Sequence, residues 1–140
     1  MKPGKTQNDA LAQLVDLMAR LRSPDGCPWD NKQTPASLKP YLVEECYEVI
    51  DALEEDVPDK IKEELGDLLF QIVFQARIAE ERGQFTIRDV IDSIYEKMIR
   101  RHPHVFGDAR LSTAGEVAAN WEDIKLREKS GEGRRSVLEG

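Results

Sequence analysis

Glu45 with Glu48, and Glu64 with Asp67, are two pairs of acids, each spaced three residues apart and lying in Glu44-Glu45-Cys46-Tyr47-Glu48 and Glu63-Glu64-Leu65-Gly66-Asp67. Residues three apart are neighbours on a helix surface, so each pair forms a small carboxylate claw. If the two helices pack side by side, the claws converge. Several carboxylate oxygens held together suit a hard divalent cation such as Mg²⁺.

The position of the acids around each helix strengthens that reading. At 3.6 residues per turn, Glu45 sits about 60° and Glu48 about 120° to one side of Leu42. Leu38, Leu42, Cys46, Val49 and Leu53 make the expected apolar stripe of that helix. On the next helix the stripe is Ile61, Leu65, Leu68, Ile72 and Ala79. Glu64 and Asp67 lie about 60° and 120° from Ile61, on the same side. An acidic run on a helix is ordinarily a solvated face. Two matched claws, each with one acid at the margin of a buried stripe, call for a partner, because Glu and Asp are rarely buried unpaired.

The elements that must position these acids read as helices almost throughout. Asn8 or Asp9 can cap a first helix running to about Arg22, with Leu11, Leu14, Val15, Met18 and Leu21 at helical spacing. Ser23 to Pro35 reads as a loop carrying Pro24, Gly26 and Pro28. Ser37 opens the helix with the first claw, which ends near Asp56-Val57-Pro58; the next runs from about Asp59 to Arg82 and stops at Gly83. Thr86 with Asp89, and Thr113 with Glu116, resemble capping boxes for a fourth helix to about Arg101 and a fifth to about Lys129. The domain is therefore expected to span residues 1–129, with 130–140 as a flexible tail or linker. No strand-like alternation is present.

Between Leu65 and Ala79, the residues Leu68, Leu69, Phe70, Ile72, Val73, Phe74, Ala76 and Ile78 cover nearly the whole circumference of a helix. Such a helix must be buried on all sides. A second copy of the chain covering the remaining face is the expected solution, and an isolated copy would uncover Phe70 or Phe74 and their neighbours.

With 140 residues the chain is long enough for one domain with a real core. Lys plus Arg total 20 against 27 Asp plus Glu, a formal charge of −7, which argues against general nucleic-acid binding. No signal sequence and no bilayer-length apolar run is present, so neither a membrane nor an exported setting is expected and the cytoplasm is the default. Only Cys27 and Cys46 are present, without a CxxC spacing, so no disulfide framework or structural zinc site is indicated. His102 and His104, separated by Pro103, read as a turn after the fourth helix, since no third histidine exists to complete a zinc set. A di-iron carboxylate bundle would place histidine three residues after a glutamate. Glu48 and Asp67 occupy those positions, favouring an oxygen-only site for Mg²⁺ or Mn²⁺.

Several segments together resemble the MazG family of nucleoside triphosphate pyrophosphohydrolases. They are Cys27-Pro28-Trp29-Asp30, Gln33-Thr34, Tyr41 to Val49 with both acids of the first claw, Glu64-Leu65-Gly66-Asp67-Leu68-Leu69-Phe70-Gln71, Arg101-His102-Pro103-His104-Val105-Phe106, and Trp121-Glu122-Asp123-Ile124-Lys125. The resemblance implies an all-α fold, a four-helix-core bundle with an additional C-terminal helix, assembled as a dimer or a dimer of dimers. It implies Mg²⁺-dependent hydrolysis of a nucleoside triphosphate between the α and β phosphates. By similarity, metal ligation falls on Glu45, Glu48, Glu64 and Asp67, with Glu44 a further acid of the catalytic set. Substrate contacts fall on Lys60, Lys97, Arg101, Trp121 and Lys125.

The residues support some of this independently. Lys60 lies one turn before Glu64 on the claw side, and Lys97 and Arg101 share one margin of the Ile87, Ile91, Ile94, Met98 stripe. A triphosphate needs such cations, although long basic side chains also flank buried faces without any ligand. Trp29 is open to two roles, covering a nucleotide or packing on the bundle. Cys27 has no histidine or basic neighbour in sequence to make it a nucleophile. The chain reads as the first domain of a longer protein, and the alternative function is a weakly active or non-catalytic nucleotide-binding and assembly domain of a tandem protein.

Overall fold

The computed structural model describes the backbone of residues 6–139 and the side chains of residues 6–131. Seven helices follow one another: α1 (Gln7–Leu21), α2 (Pro28–Lys32), α3 (Lys39–Glu55), α4 (Pro58–Glu81), α5 (Ile87–Arg101), α6 (Pro103–Phe106) and α7 (Ala114–Glu139). Among the described residues there is no strand, so the protein is all-α as expected. The chain divides into two compact units, Met1–Val90 and Ile91–Gly140.

In the first unit, α3 and α4 form an antiparallel hairpin, and α1 packs on α4. Its tight connection is set by Asp56, which takes the left-handed conformation at φ 57°, and by Pro58 in the first turn of α4, where the lost N–H has no helical partner anyway. Asn and Asp tolerate that conformation better than other side chains. With so short a turn, residues equidistant from it face each other. Glu48 thereby comes within range of the charge of Glu64, and Glu45 within range of that of Asp67. At its other end, α4 closes on Gly83 at φ +68°, with Gln84 N–H donating to Ala79 O at 2.9 Å and Gly83 N–H to Glu80 O at 3.0 Å.

Met18, Leu38, Val73, Phe74 and Ile78 form the core of this unit, with Leu14, Val15, Phe70 and Ile87 packed against it. The expected stripes are covered only in part: Leu38, Val49 and Ala79 are buried and Leu42, Ile61 and Leu68 are half-buried. Cys46 and Leu53 of α3, and Leu65 and Ile72 of α4, are exposed, while Ala52, Val73 and Phe74 are buried. On α4 the burial centres on Val73, Phe74 and Ile78, the residues that pack with Met18 of α1 and with Leu38. Of Phe70 and Phe74, one or the other expected to be uncovered with its neighbours in an isolated chain, Phe74 is buried and Phe70 half-buried, while the neighbouring Leu69 and Ile72 are exposed. Among the apolar residues left in water, Val43, Tyr47 and Ile50 on α3, and Leu65, Leu69 and Ile72 on α4, are each set at i, i+4, i+7 spacing and hence on one face of their helix.

Helix starts also differ in detail. Thr6, not Asn8 or Asp9, caps α1, with Asp9 as the third residue of a capping box. Segment 23–35, read as a loop, contains the single-turn helix α2, started by Pro28. Thr86 and Asp89 make the expected reciprocal pair at α5, at 2.8 and 3.2 Å. Thr113 accepts from Glu116 N–H at 3.1 Å, but Glu116 Oε2 reaches Ser112 N–H, one residue further back than a capping box requires. The backbone of α7 is helical to Glu139, past the Lys129 end expected for it.

Candidate active site

Glu45 comes from the middle of α3, and Glu64 and Asp67 from the first half of α4. A carboxylate oxygen from each lies within 4.8 Å of the other two. Glu45 and Glu64 are half-buried, and Asp67 is exposed. Burial pushes the Glu45 carboxyl above the usual carboxylate range, and the charges of Asp67, Glu64, Glu44 and Glu48 push it further. The Glu64 carboxyl is raised in the same way, by partial burial first and then by Asp67, Glu48 and Glu63. The hairpin thus gathers like charges that disfavour one another, the arrangement a cation relieves.

Three of the four expected ligands meet in that group. Glu48 adjoins it, close enough for its charge to raise both Glu45 and Glu64, and Glu44 acts on Glu45 only through its charge. Lys60, expected on the claw side, donates to Glu55 at 2.8 Å, and that hydrogen bond and charge raise its ammonium pKa most, with Glu48 and Glu64 adding to the effect. The donor set is oxygen-only, which fits a hard divalent cation rather than zinc or a soft metal. Gln71 sits one turn beyond Asp67 on the same face of α4, and its Oε1 is buried without a hydrogen-bond partner.

Lys97, Arg101, Trp121 and Lys125 belong to the second unit. There Arg101 lies over the Trp121 ring at 5.8 Å, and His102 meets the same ring edge-on at 4.9 Å. The His102 Nδ1–H donates to Met98 O at 2.6 Å, which fixes the ring as the α5 helix ends. Arg101 is not a bare cation: Glu128 of α7 binds it at 2.7 Å and binds Arg100 at 2.6 Å. Those two arginines hold the Glu128 carboxyl down to about 2, Arg101 contributing most. Lys97 is half-buried, and Lys125 reaches Glu122 at 3.7 Å on the exposed side of α7.

Two residues with structural reach escaped the sequence. Glu128 stands in an ordinary charged helix and gives no local signal. Arg22 follows the last residue of α1; its Nε and Nη2 each donate to Glu81 at 2.8 Å, and its Nη1 donates to Asp30 O at 2.6 Å and to Gln33 O at 3.2 Å. An arginine leading into a Pro- and Gly-rich segment with many unpaired carbonyls was the available clue.

Against this fold and site, the sequence signature of the MazG nucleotide pyrophosphohydrolase domain matches residues 33–106, a span that includes both claws. The chain is 61% identical over 117 residues to the nucleoside triphosphate pyrophosphohydrolase/pyrophosphatase MazG of Thermotoga maritima, covering 84% of this chain and 44% of that protein. It is 47% identical over 128 residues to a nucleoside triphosphate pyrophosphohydrolase of Escherichia coli, covering 91% of this chain and 49% of that protein. A crystal structure of a MazG-related protein from Thermotoga maritima superimposes with a TM-score of 0.67 at 27% identity, over 82% of this chain and 98% of that one.

The chain belongs to the MazG nucleotide pyrophosphohydrolase family, a class of hydrolases. It spans about half the length, or less, of these two curated relatives.

Proposed function

We propose that this chain hydrolyses nucleoside triphosphates, ribo- and deoxyribo-, between the α and β phosphates, releasing a nucleoside monophosphate and pyrophosphate. The observation that carries the proposal is the convergence of Glu45, Glu64 and Asp67 within 4.8 Å on one helical hairpin. Mg²⁺, or Mn²⁺ in its place, would be held by these three carboxylates and by Glu48. Bound there, a divalent ion supplies charge neutralisation at phosphate oxygens and a more acidic water.

The remaining work falls to the chain's own side chains. Phosphoryl transfer needs positioning and charge stabilisation more than covalent chemistry. A carboxylate not consumed in ligation, Glu44 or Glu48, orients the attacking water and takes its proton. The water oxygen bonds to the α phosphorus as the bond to the bridging oxygen breaks, and pyrophosphate leaves with the electron pair. In the first unit Lys60 is the candidate phosphate contact; in the second unit, taken by itself, Lys97 and Arg101 are the candidates to bind and neutralise the pyrophosphate, and Trp121 and Lys125 to contact the nucleotide. Arg101 exchanges Glu128 for phosphate when it does so, one charge-assisted contact for another. No serine, cysteine or histidine nucleophile takes part. A nucleotide-hydrolysing role sets the cytoplasm as the place of work, and no helix among the described residues is long and apolar enough to cross a membrane.

A second reading, a weakly active or non-catalytic nucleotide-binding and assembly domain, draws on one feature. Lys60, Arg101 and Lys125 are already engaged by Glu55, Glu128 and Glu122. One assay separates the two readings. The purified chain is incubated with each common NTP and dNTP plus Mg²⁺, and the products are separated. Monophosphate plus pyrophosphate is the expected outcome. Diphosphate plus phosphate as primary products sinks the α–β assignment, and nucleotide binding without turnover selects the second reading.

A further inference from the structure

The segment between α1 and α3 is held far more firmly than a connecting loop needs to be. Arg22 ties it to α4 through Glu81 while binding the carbonyls of Asp30 and Gln33, and its guanidinium lies over the Phe74 ring at 5.6 Å. Asn31 Nδ2 donates to Ser23 O at 2.8 Å and to Cys27 O at 3.1 Å, and Gln33 Nε2 donates to Trp29 O at 2.8 Å. A Cβ at Gly26 would stand 2.3 Å from the carbonyl oxygens of both Arg20 and Leu21, so only glycine allows the chain to fold back this closely.

This rigid segment nevertheless leaves its largest side chain half in water. Trp29 is 48% exposed and meets Tyr41, itself 39% exposed, edge to face at 5.6 Å and 83°. A tryptophan whose role is packing is buried as far as its neighbours allow. Here the backbone is fixed and about half of the residue is left exposed. Its neighbour also has a telling position. Tyr41, Glu45 and Glu48 lie within about 60° of one another around α3, and Tyr41 precedes Glu45 by about 6 Å along the axis. The aromatic pair therefore lies beside the carboxylates, displaced along the same face of one helix. That is the spatial relation between the base and the phosphates of a single nucleotide.

We propose that Trp29, seated against Tyr41 by the Arg22 clamp, is the stacking surface for the substrate's nucleobase. The inference rests on the reading above that the neighbouring carboxylates handle the phosphates. Stacking uses the π-face every base possesses, so this surface accepts purines and pyrimidines alike, with the larger purines gaining more.

The test is calorimetric binding of α,β-methylene ATP and of inorganic tripolyphosphate, both with Mg²⁺, to wild type, Trp29→Ala and Trp29→Phe. Trp29→Ala should weaken the nucleotide about 5- to 150-fold, the weight of one stacked base, and leave tripolyphosphate unchanged. Trp29→Phe, which keeps an aromatic face and guards against a folding defect, should recover most of the loss. An equal loss for both ligands, or no loss for the nucleotide, overturns the proposal. Wild type binding tripolyphosphate as tightly as the nucleotide overturns it too, and leaves the proposed function standing. Wild type binding neither ligand removes that function and this inference together.

Discussion

Glu45, Glu64 and Asp67 stand out because they converge, and because partial burial and the charges of neighbouring acids, Asp67 among them, disfavour the ionised forms of Glu45 and Glu64. Changing any one of them to Ala should nearly abolish turnover while the helical circular-dichroism spectrum is kept, since Mg²⁺ tolerates imperfect coordination poorly. Near-wild-type activity in two of the three would move the metal site elsewhere. Lys97→Ala and Arg101→Ala should raise KM for nucleotide, lower kcat, or both, at a cost of about 1.5–3 kcal/mol for a lost charge-assisted contact to phosphate. Unaltered steady-state kinetics in both variants would return them to the role of structural cations, with Arg101 serving Glu128 alone. The claws were legible in the sequence because an i, i+3 spacing on two consecutive helices is a local pattern. The tie between Arg101 and Glu128 was not, because 27 residues separate the partners and nothing nearby marks either one.

At the scale of elements, the α3–α4 hairpin converts two sequence-local claws into one cluster, and the segment after α1 is braced against the far end of α4 by Arg22 and Glu81. The Glu81 carboxyl is held below its ordinary range, first by its hydrogen bonds to Arg22 and then by that residue's charge and by Arg77. A lowered folded pKa means that this contribution to stability is complete above roughly pH 4.3, the ordinary glutamate value, and is lost as pH falls through the lower folded value. Glu81→Gln should therefore melt below wild type at pH 7, and the gap should close as the melts are repeated at progressively lower pH. A gap that does not change with pH would assign Glu81 a packing role only. Gly26→Ala should destabilise by about 1–3 kcal/mol in chemical denaturation, since its Cβ meets backbone that cannot yield. Element types and most boundaries were readable from apolar spacing, Pro and Gly. The buried faces were readable only in part, Leu38, Val49 and Ala79 among them: α3 and α4 carry apolar residues on several sides, and which side is covered depends on where α1 docks, a non-local fact. The cap of α1 was misplaced by two or more residues because Thr6, Asn8 and Asp9 are all competent caps, and only the geometry shows Asp9 answering Thr6.

For the whole molecule, the exposed rows Val43, Tyr47, Ile50 and Leu65, Leu69, Ile72 are the surface on which we propose that a second copy sits. Sedimentation equilibrium should give a dimer or a larger assembly at micromolar concentration, with melting that depends on protein concentration. A monodisperse, well-folded monomer would contradict this, and Leu69→Glu should shift wild type toward that monomer if the face is the interface.

The central claim is that the carboxylates of the hairpin form a divalent-ion site, and a melting experiment with and without metal tests it most directly. An ion that binds only the folded chain stabilises it by about 2.7 kcal/mol at a hundredfold excess over Kd, which for a chain of this size corresponds to roughly 5–10 °C. Without the ion, Glu45 and Glu64 have raised pKa values, so they favour folding at low pH and lose that contribution as pH rises through the folded values. At pH 7 the account therefore predicts a melting temperature higher in millimolar Mg²⁺ or Mn²⁺ than in EDTA. It also predicts no such increase in a Glu45→Ala, Glu64→Ala double variant, which should be at least as stable as wild type in EDTA. A wild-type melting temperature unchanged across the metal titration, or an increase that survives in the double variant, would contradict it.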